Sequence, residues 1–284
     1  MAVSGTPAHV DVRRIGESTV TIVSEGILVW APQLQAPEAD WRAAMPEADA
    51  DGRIASGLNI AHVQLGETSI LVDPGYPDPS PEAQREAPRV TRTAGLRAAM
   101  EQIGLQPEQV THVLITHPHD DHFCGLTIER DGRRVARFPR ACHLMGRADW
   151  EDNPNRQQAH PAFMRHLGTI ERLGQFELID GDREVAPGIA ILHAPGETPG
   201  HSILRVRSGG EAFYYLGDLF HHPCEFEHLD WVSPGRDRPA AIASRRRLIE
   251  EAVAGDATLV YTHGQFPPWG HVVTEGDGYR WEQR

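Results

Sequence analysis

The stretch VTHVLITHPHDDH, residues 110–122, decides how this chain is read. Its first half is apolar and rich in β-branched side chains, so it reads as a buried strand. Its second half sets His117, His119, Asp121 and His122 within six residues at the strand's end. Neutral imidazole nitrogens and a carboxylate suit borderline divalent metals. Alternate residues of an extended backbone can aim at one ion while the following turn feeds another. A solvated polar loop gives no reason for three imidazoles and a carboxylate in this order straight after an apolar strand.

Upstream, IAHVQL (60–65) and TSILVD (68–73) alternate around a Gly-Glu turn and predict a β-hairpin that ends at DPGY, with Asp73 at the strand end. TAGLRAAMEQIGL (93–105) has helical spacing and stops near Gly104. Downstream the strand-then-polar grammar recurs: GIAILHA runs into PGETPGHS (195–202), AFYYLGD into LFHHP (219–223), and ATLVYTH into GQFPPWG (264–270). In open α/β sheets ligands gather beyond the carboxyl ends of strands, so these separated segments can converge on one site. The stretch from Trp30 to Arg53 is rich in Pro, Ala and acids without a sustained period; it predicts a long loop with a lid as its use.

T-H-x-H-x-D-H after a strand resembles the signature of the metallo-β-lactamase superfamily. The DPGY turn, the PGETPGHS loop, the GD of LGDLFHHP and the TH of VYTHGQ extend the resemblance, in order, over most of the chain. The resemblance implies an α/β fold, a four-layer αββα sandwich, with a dinuclear site on one edge. It implies that His117 and His119 hold a first metal, Asp121 and His122 a second, that Asp218 bridges both, and that His263 completes the second. In the pattern it resembles, the later loop reads PGHTPGH and its first histidine is the remaining ligand of the first metal. Here that position is Glu197 and the second histidine is His201. Carboxylate oxygen is a competent ligand, so Glu197 fills the vacancy; the alternative is His201 through a shifted loop, its bland role being a hydrogen bond that props the loop. With Asp121, Asp218, Glu197 and a shared hydroxide, four negative units balance two divalent ions, which predicts a weaker and harder Lewis acid than a histidine would leave. Zinc is the expected ion, with manganese and iron as alternatives. His221 stands where several lactonases of the superfamily place a carbonyl-polarising tyrosine, and His222 and Asp73 read as supporting or alternative ligands.

Bulk properties exclude other classes. A length of 284 residues is ordinary for one α/β sandwich, and 1–284 reads as a single domain with the insertion around 30–53. A net charge of -13 repels phosphate backbones and anionic bilayers, so the expected partner is a small-molecule substrate, with no nucleic acid and no membrane; a homodimer is compatible. Arg245, Arg246 and Arg247, in SRRRLIEEAV, read as a solvated helix face. The N-terminus lacks an apolar stretch before a small-residue cleavage site, which reads as cytoplasmic. Cys124, Cys142 and Cys224 form no CxxC and read as buried thiols.

Two metals sharing a hydroxide make a nucleophile near neutral pH, so hydrolysis of an ester or lactone is the expected reaction, with Asp121 also orienting a proton. No GxSxG signals a serine nucleophile. A secreted β-lactamase would carry a cysteine at 218, an RNA-processing enzyme a basic surface, and a flavodiiron protein a carboxylate at 119. A glyoxalase II-like thioesterase or a phosphotriesterase stays as the alternative enzyme, and a metal-containing ligand sensor as the non-enzymatic one. Trp30, Trp41, Phe220, Trp231, Phe266 and Trp269 lie in or beside the loops after the ligand strands and are the candidate pocket aromatics.

Overall fold

The computed structural model describes residues 9–284. One sheet runs His9–Ile15, Ser18–Trp30, Ile54–Leu65, Thr68–Val72, His112–Leu114, Cys142–Gly146, Phe176–Ile179, with Val90–Arg92 added against Ser18–Trp30. Its hairpins are antiparallel, and its last three pairings are parallel. The second sheet runs Arg183–Ala186, Ile189–His193, Ser202–Ser208, Glu211–Tyr215, Thr258–Val260, Gly270–Glu275, Gly278–Gln283. The hairpin across residues 66 and 67 forms as its alternation predicts, pairing Ala61 with Val72 and Leu65 with Thr68. The helix Gly95–Ile103 is closed by Gly104 at φ 71, the left-handed conformation that glycine adopts without a Cβ penalty.

Strand alternation sorts the apolar residues into layers. Ile70, Val72 and Leu114 pack with Ile191, Leu204, Phe213 and Val260 between the two sheets. Leu71 and Val113 point the other way, against Leu96 and Met100 of Gly95–Ile103 and Leu167 and Ile170 of Pro161–Arg172. On the far face of the second sheet, Leu192, Tyr214 and Leu259 meet Leu248, Ile249 and Ala252 of the helix Arg238–Ala254. Helix, sheet, sheet and helix thus stack as the αββα sandwich, with the central strands of both sheets covered on either face.

The segment 31–53 departs from the long-loop expectation. It joins two strands paired as far as Trp30 and Ile54, and it carries the helix Glu38–Ala44. Met45, Ile54, Cys224 and Trp231 form its own small core, with Trp41 and Trp30 against it. Cys124 and Cys224 are buried, whereas Cys142 is only half-buried. Among the described residues, no helix is long and apolar enough to cross a membrane.

Candidate metal centre

The strand His112–Leu114 is hydrogen-bonded on both sides, and its extension is fixed by Asp73 N–H to Leu114 O (2.9 Å) and Ile115 N–H to Leu144 O (2.9 Å). His117 therefore emerges at a defined point of the sheet edge, and its side chain is fully buried. His119 is still extended (φ -90, ψ 151) and caps the short helix Asp120–Phe123, whose first turn swings Asp121 and His122 in from the other side. The remaining residues arrive from the second sheet: Glu197 from the loop after Ile189–His193, Asp218 after Glu211–Tyr215, and His263 after Thr258–Val260. Thr116 O accepts the N–H of Ser202 at 2.9 Å, which ties the two edges together.

Three overlapping groups of donor atoms result among the described residues, one of them Asp218, His221 and His263. His117, His119, Glu197 and Asp218 have ligand atoms within 4.8 Å of one another, as do Asp121, His122 and His263. His117 Nε2 faces His119 Nδ1 at 2.7 Å, and Glu197 Oε1 is 3.5 Å from His119 Nδ1. Asp121 reaches His122 Nε2 at 3.6 Å and His263 Nε2 at 3.7 Å. Asp218 lies between these two groups. Its Oδ2 is 3.6 Å from His117 Nε2, 3.4 Å from His122 Nε2 and 3.2 Å from His263 Nε2. His122 Nε2 and Asp218 Oδ1 are buried without a hydrogen-bond partner. Buried polar atoms are normally satisfied, so converging lone pairs left open mark a place that fits divalent cations.

The supporting shell fixes how these rings point. Asp73 is buried; it accepts Thr116 N–H and the Thr116 hydroxyl, each at 2.8 Å, and its Oδ2 is 2.8 Å from His122 Nδ1. The carboxylate holds the proton on Nδ1 and leaves Nε2 facing the centre. His263 Nδ1 likewise meets Gly57 O at 3.1 Å. His201 is engaged at both nitrogens: Nδ1 donates to Ala194 O (3.0 Å) and Nε2 accepts the N–H of Asp218 (3.1 Å). Both ring nitrogens of His201 are thus taken up within the protein, and the donor group that draws on this loop contains Glu197.

His221 Nε2 is 3.5 Å from Asp218 Oδ2, and its Nδ1 is 3.6 Å from Glu225 Oε2, which also accepts the His221 N–H at 2.6 Å. Burial would raise the Glu225 carboxyl, but Arg245 beside it and His221 hold it down to about 2. Arg245 corrects the sequence reading of a solvated face. It is buried, pairs with Glu225 at 3.1 Å and donates to Leu219 O and Trp231 O, because its position on the helix turns it toward the sheet. His222 turns outward to Glu47 at 2.6 Å. Arg236, unsignalled by any motif, contacts Glu197 Oε1. Asp149, also unforeseen, accepts the Thr198 hydroxyl at 2.6 Å and Gly200 N–H at 2.8 Å and so grips the loop that carries Glu197.

The pocket aromatics divide. Trp30 lies over the centre, 5.7 Å from the His221 ring and 6.0 Å from that of His263. Phe266 lines a cavity of about 360 Å³ beside it. Trp41 and Trp231 belong to the small core under the 31–53 segment. Phe220 and Trp269 are corrected to core residues: both are fully buried, Phe220 stacked on Phe226 and Trp269 packed between the sheets.

A sequence model described as the Metallo-beta-lactamase superfamily matches residues 59–263, from the paired strand Ile54–Leu65 to His263 itself. The chain belongs to this superfamily. Within it, an N-acyl homoserine lactonase of Bacillus sp. is 25% identical over 227 residues, covering 76% of this chain and 81% of its own length. A probable metallo-hydrolase of Mycobacterium tuberculosis is 27% identical over 180 residues, 57% of each chain. Among solved structures, AidC, described as a dizinc quorum-quenching lactonase in complex with a product, superposes with a TM-score of 0.75 at 22% identity, covering 98% of both chains. A probable metal-dependent hydrolase from Staphylococcus aureus gives 0.79 at 21% identity, covering 96% of this chain and 99% of its own. At such identities these two superpositions establish the superfamily fold. All the donor residues, with Glu225 and Arg236, fall inside the matched span.

Proposed function

We propose that the chain is a dinuclear metal-dependent hydrolase that opens the ester bond of a lactone, with N-acyl homoserine lactones as the substrate class. The observation that carries the reading is the position of Asp218, whose single oxygen stands against imidazoles of both donor groups. His117, His119 and Glu197 would hold one ion, Asp121, His122 and His263 the other, with Asp218 common to both. When bound, such ions supply Lewis acidity and bring the pKa of water toward about 7.

The chain's own groups orient the rest. Asp73 and Gly57 O fix the rings of His122 and His263, so the donor set is organised before substrate arrives. A cavity of about 340 Å³ is lined by Glu47, Ser56, His221, His222, His263 and Gln265. His221 stands at that wall with Nδ1 3.6 Å from Glu225 Oε2, a carboxylate that keeps the proton on Nδ1 and orients the ring toward a substrate carbonyl. The neighbouring cavity shares Ala55, Ser56 and Gln265 with the first and adds Ile27 and Phe266, an apolar extension suited to an acyl chain beside a polar head. The 25% identity to an N-acyl homoserine lactonase over most of both chains supports the same class.

The test is metal analysis of protein purified without added ions, followed by hydrolysis of N-acyl homoserine lactones, aryl esters, thioesters and phosphotriesters. Two ions per chain with lactone turnover ahead of the other substrates is the expected result. A preference for thioesters or phosphotriesters moves the substrate class, and metal-free lactone turnover ends the reading.

A further inference from the structure

Glu197 brings a negative charge into a centre that already holds Asp121 and Asp218, and the structure sets a cation directly on it. The guanidinium of Arg236 contacts Glu197 Oε1; the Glu197 side chain is 4% exposed and that of Arg236 30%. Arg236 Nε is buried and has no hydrogen-bond partner, so that side of the guanidinium is out of water with the carboxylate as its compensation.

The pairing does not depend on two flexible side chains finding each other. The loop that carries Arg236 and the loop that carries Glu197 are joined by backbone: Asp237 N–H donates to Gly196 O at 3.2 Å, and the Ser244 hydroxyl donates to Pro195 O at 2.7 Å. Gly196, at φ +143, packs so closely on Ala241 that any side chain there would collide. Asp237 caps the helix Arg238–Ala254 through Ala240 N–H at 3.0 Å, which fixes the residue after Arg236. Both members are therefore held in register by the fold.

We infer that Glu197 and Arg236 act as one ligand unit, the carboxylate offering oxygen to a metal while the guanidinium cancels its charge. The unit then has the net charge of a neutral imidazole. With Asp121, Asp218, Glu197 and a hydroxide against two divalent ions the formal sum is zero; Arg236 returns one positive unit, which offsets the weakening of the Lewis acid expected from Glu197 alone. The inference rests on reading Glu197 as a metal ligand.

The experiment is a chelator-competition titration of zinc into the metal-stripped protein, read as Kd without any substrate. Glu197→Gln weakens zinc binding by about tenfold or more, because it removes an anionic ligand and leaves the Arg236 charge unopposed. Adding Arg236→Met to Glu197→Gln recovers affinity, and recovers it by more than about threefold relative to what Arg236→Met does alone, since alone it also removes the partner of Glu197. Arg236→Lys keeps the charge and recovers nothing in the Glu197→Gln background. A relative gain of threefold or less, or equal recovery by Lys and Met, overturns the inference and leaves the ligand reading standing. Zinc affinity unchanged in Glu197→Gln overturns both. Where the Gln and Met pair fails to fold, Glu197→His combined with Arg236→Met reads the same coupling, with the same threshold.

Discussion

His201 Nε2 accepts the backbone N–H of Asp218 at 3.1 Å while its Nδ1–H is given to Ala194 O at 3.0 Å, so one ring holds two loops of the centre in register. Burial pushes its pKa down to about 3, which keeps the ring neutral and able to play both parts. His201→Ala strands the Asp218 N–H and opens a cavity. We expect a loss of about 2–4 kcal/mol in urea unfolding of the metal-free protein, with metal stoichiometry of the folded protein unchanged. Loss of one ion at unchanged stability is the outcome that places His201 in the ligand set.

Asp218 Oδ2 stands 3.2–3.6 Å from imidazoles of both donor groups, and in the proposed function it is common to the two ions. Asp218→Ala is expected to lose at least one ion and to lower lactone turnover by at least about 100-fold; His119→Ala is expected to lose an ion from its own group. Metal content by elemental analysis, alongside kcat, checks both. An Asp218→Ala protein that kept two ions and full turnover would refute the shared role.

In the proposed function His221 is the contact with substrate and Glu225, 3.6 Å from its Nδ1, the support behind it. His221→Phe keeps a flat ring and removes the donor; kcat is expected to fall by about 100-fold with both ions retained. Glu225→Gln leaves Arg245 buried and uncompensated, so its main expected effect is a stability loss of about 3–5 kcal/mol in urea unfolding. If His221→Phe instead loses an ion, His221 is a ligand and not a carbonyl contact.

Buried neutral histidines away from the centre set the acid limit. Burial pushes His62 and His143 down to about 4 and His166 to about 3. Below about pH 6.5 the unfolded chain takes up protons on these rings while the folded chain does not, so stability falls with falling pH until the folded values are reached. Each ring contributes a slope of up to about 1.4 kcal/mol per pH unit between about 6.5 and 4. Urea unfolding of the metal-free protein across that window should show it, and His166→Gln should reduce the slope by about one proton. An unchanged slope in that variant removes His166 from the account.

What the sequence disclosed follows from how local each signal is. His117, His119, Asp121 and His122 share one segment with a strand before it, and the hairpin and the helix ending at Gly104 carry their own periodicity and stop signals. The placing of Glu197, Asp218 and His263 in one site needed the resemblance to order three distant loops. Arg236 and Glu225 were illegible because a short loop and the four-residue helix Cys224–Glu227 have no period, and both reach the centre through tertiary packing alone. Arg245 misleads for the opposite reason. Three adjacent arginines look alike in sequence, yet they point in different directions around a helix. Phe220 and Trp269 stand beside ligand loops but pack inward.

The route by which the donors arrive has a mechanical meaning. His117, His119, Asp121 and His122 hang from one sheet and Glu197, Asp218 and His263 from the other, so the centre is a seam across the sandwich. Ions held there, as the proposed function has it, would staple chain segments that are far apart in sequence, closing long loops that an unfolded chain would have to close at an entropic cost. Stripping them removes a cross-link as well as a reagent. The temperature at which the two halves come apart is then set in part by the free metal around the protein.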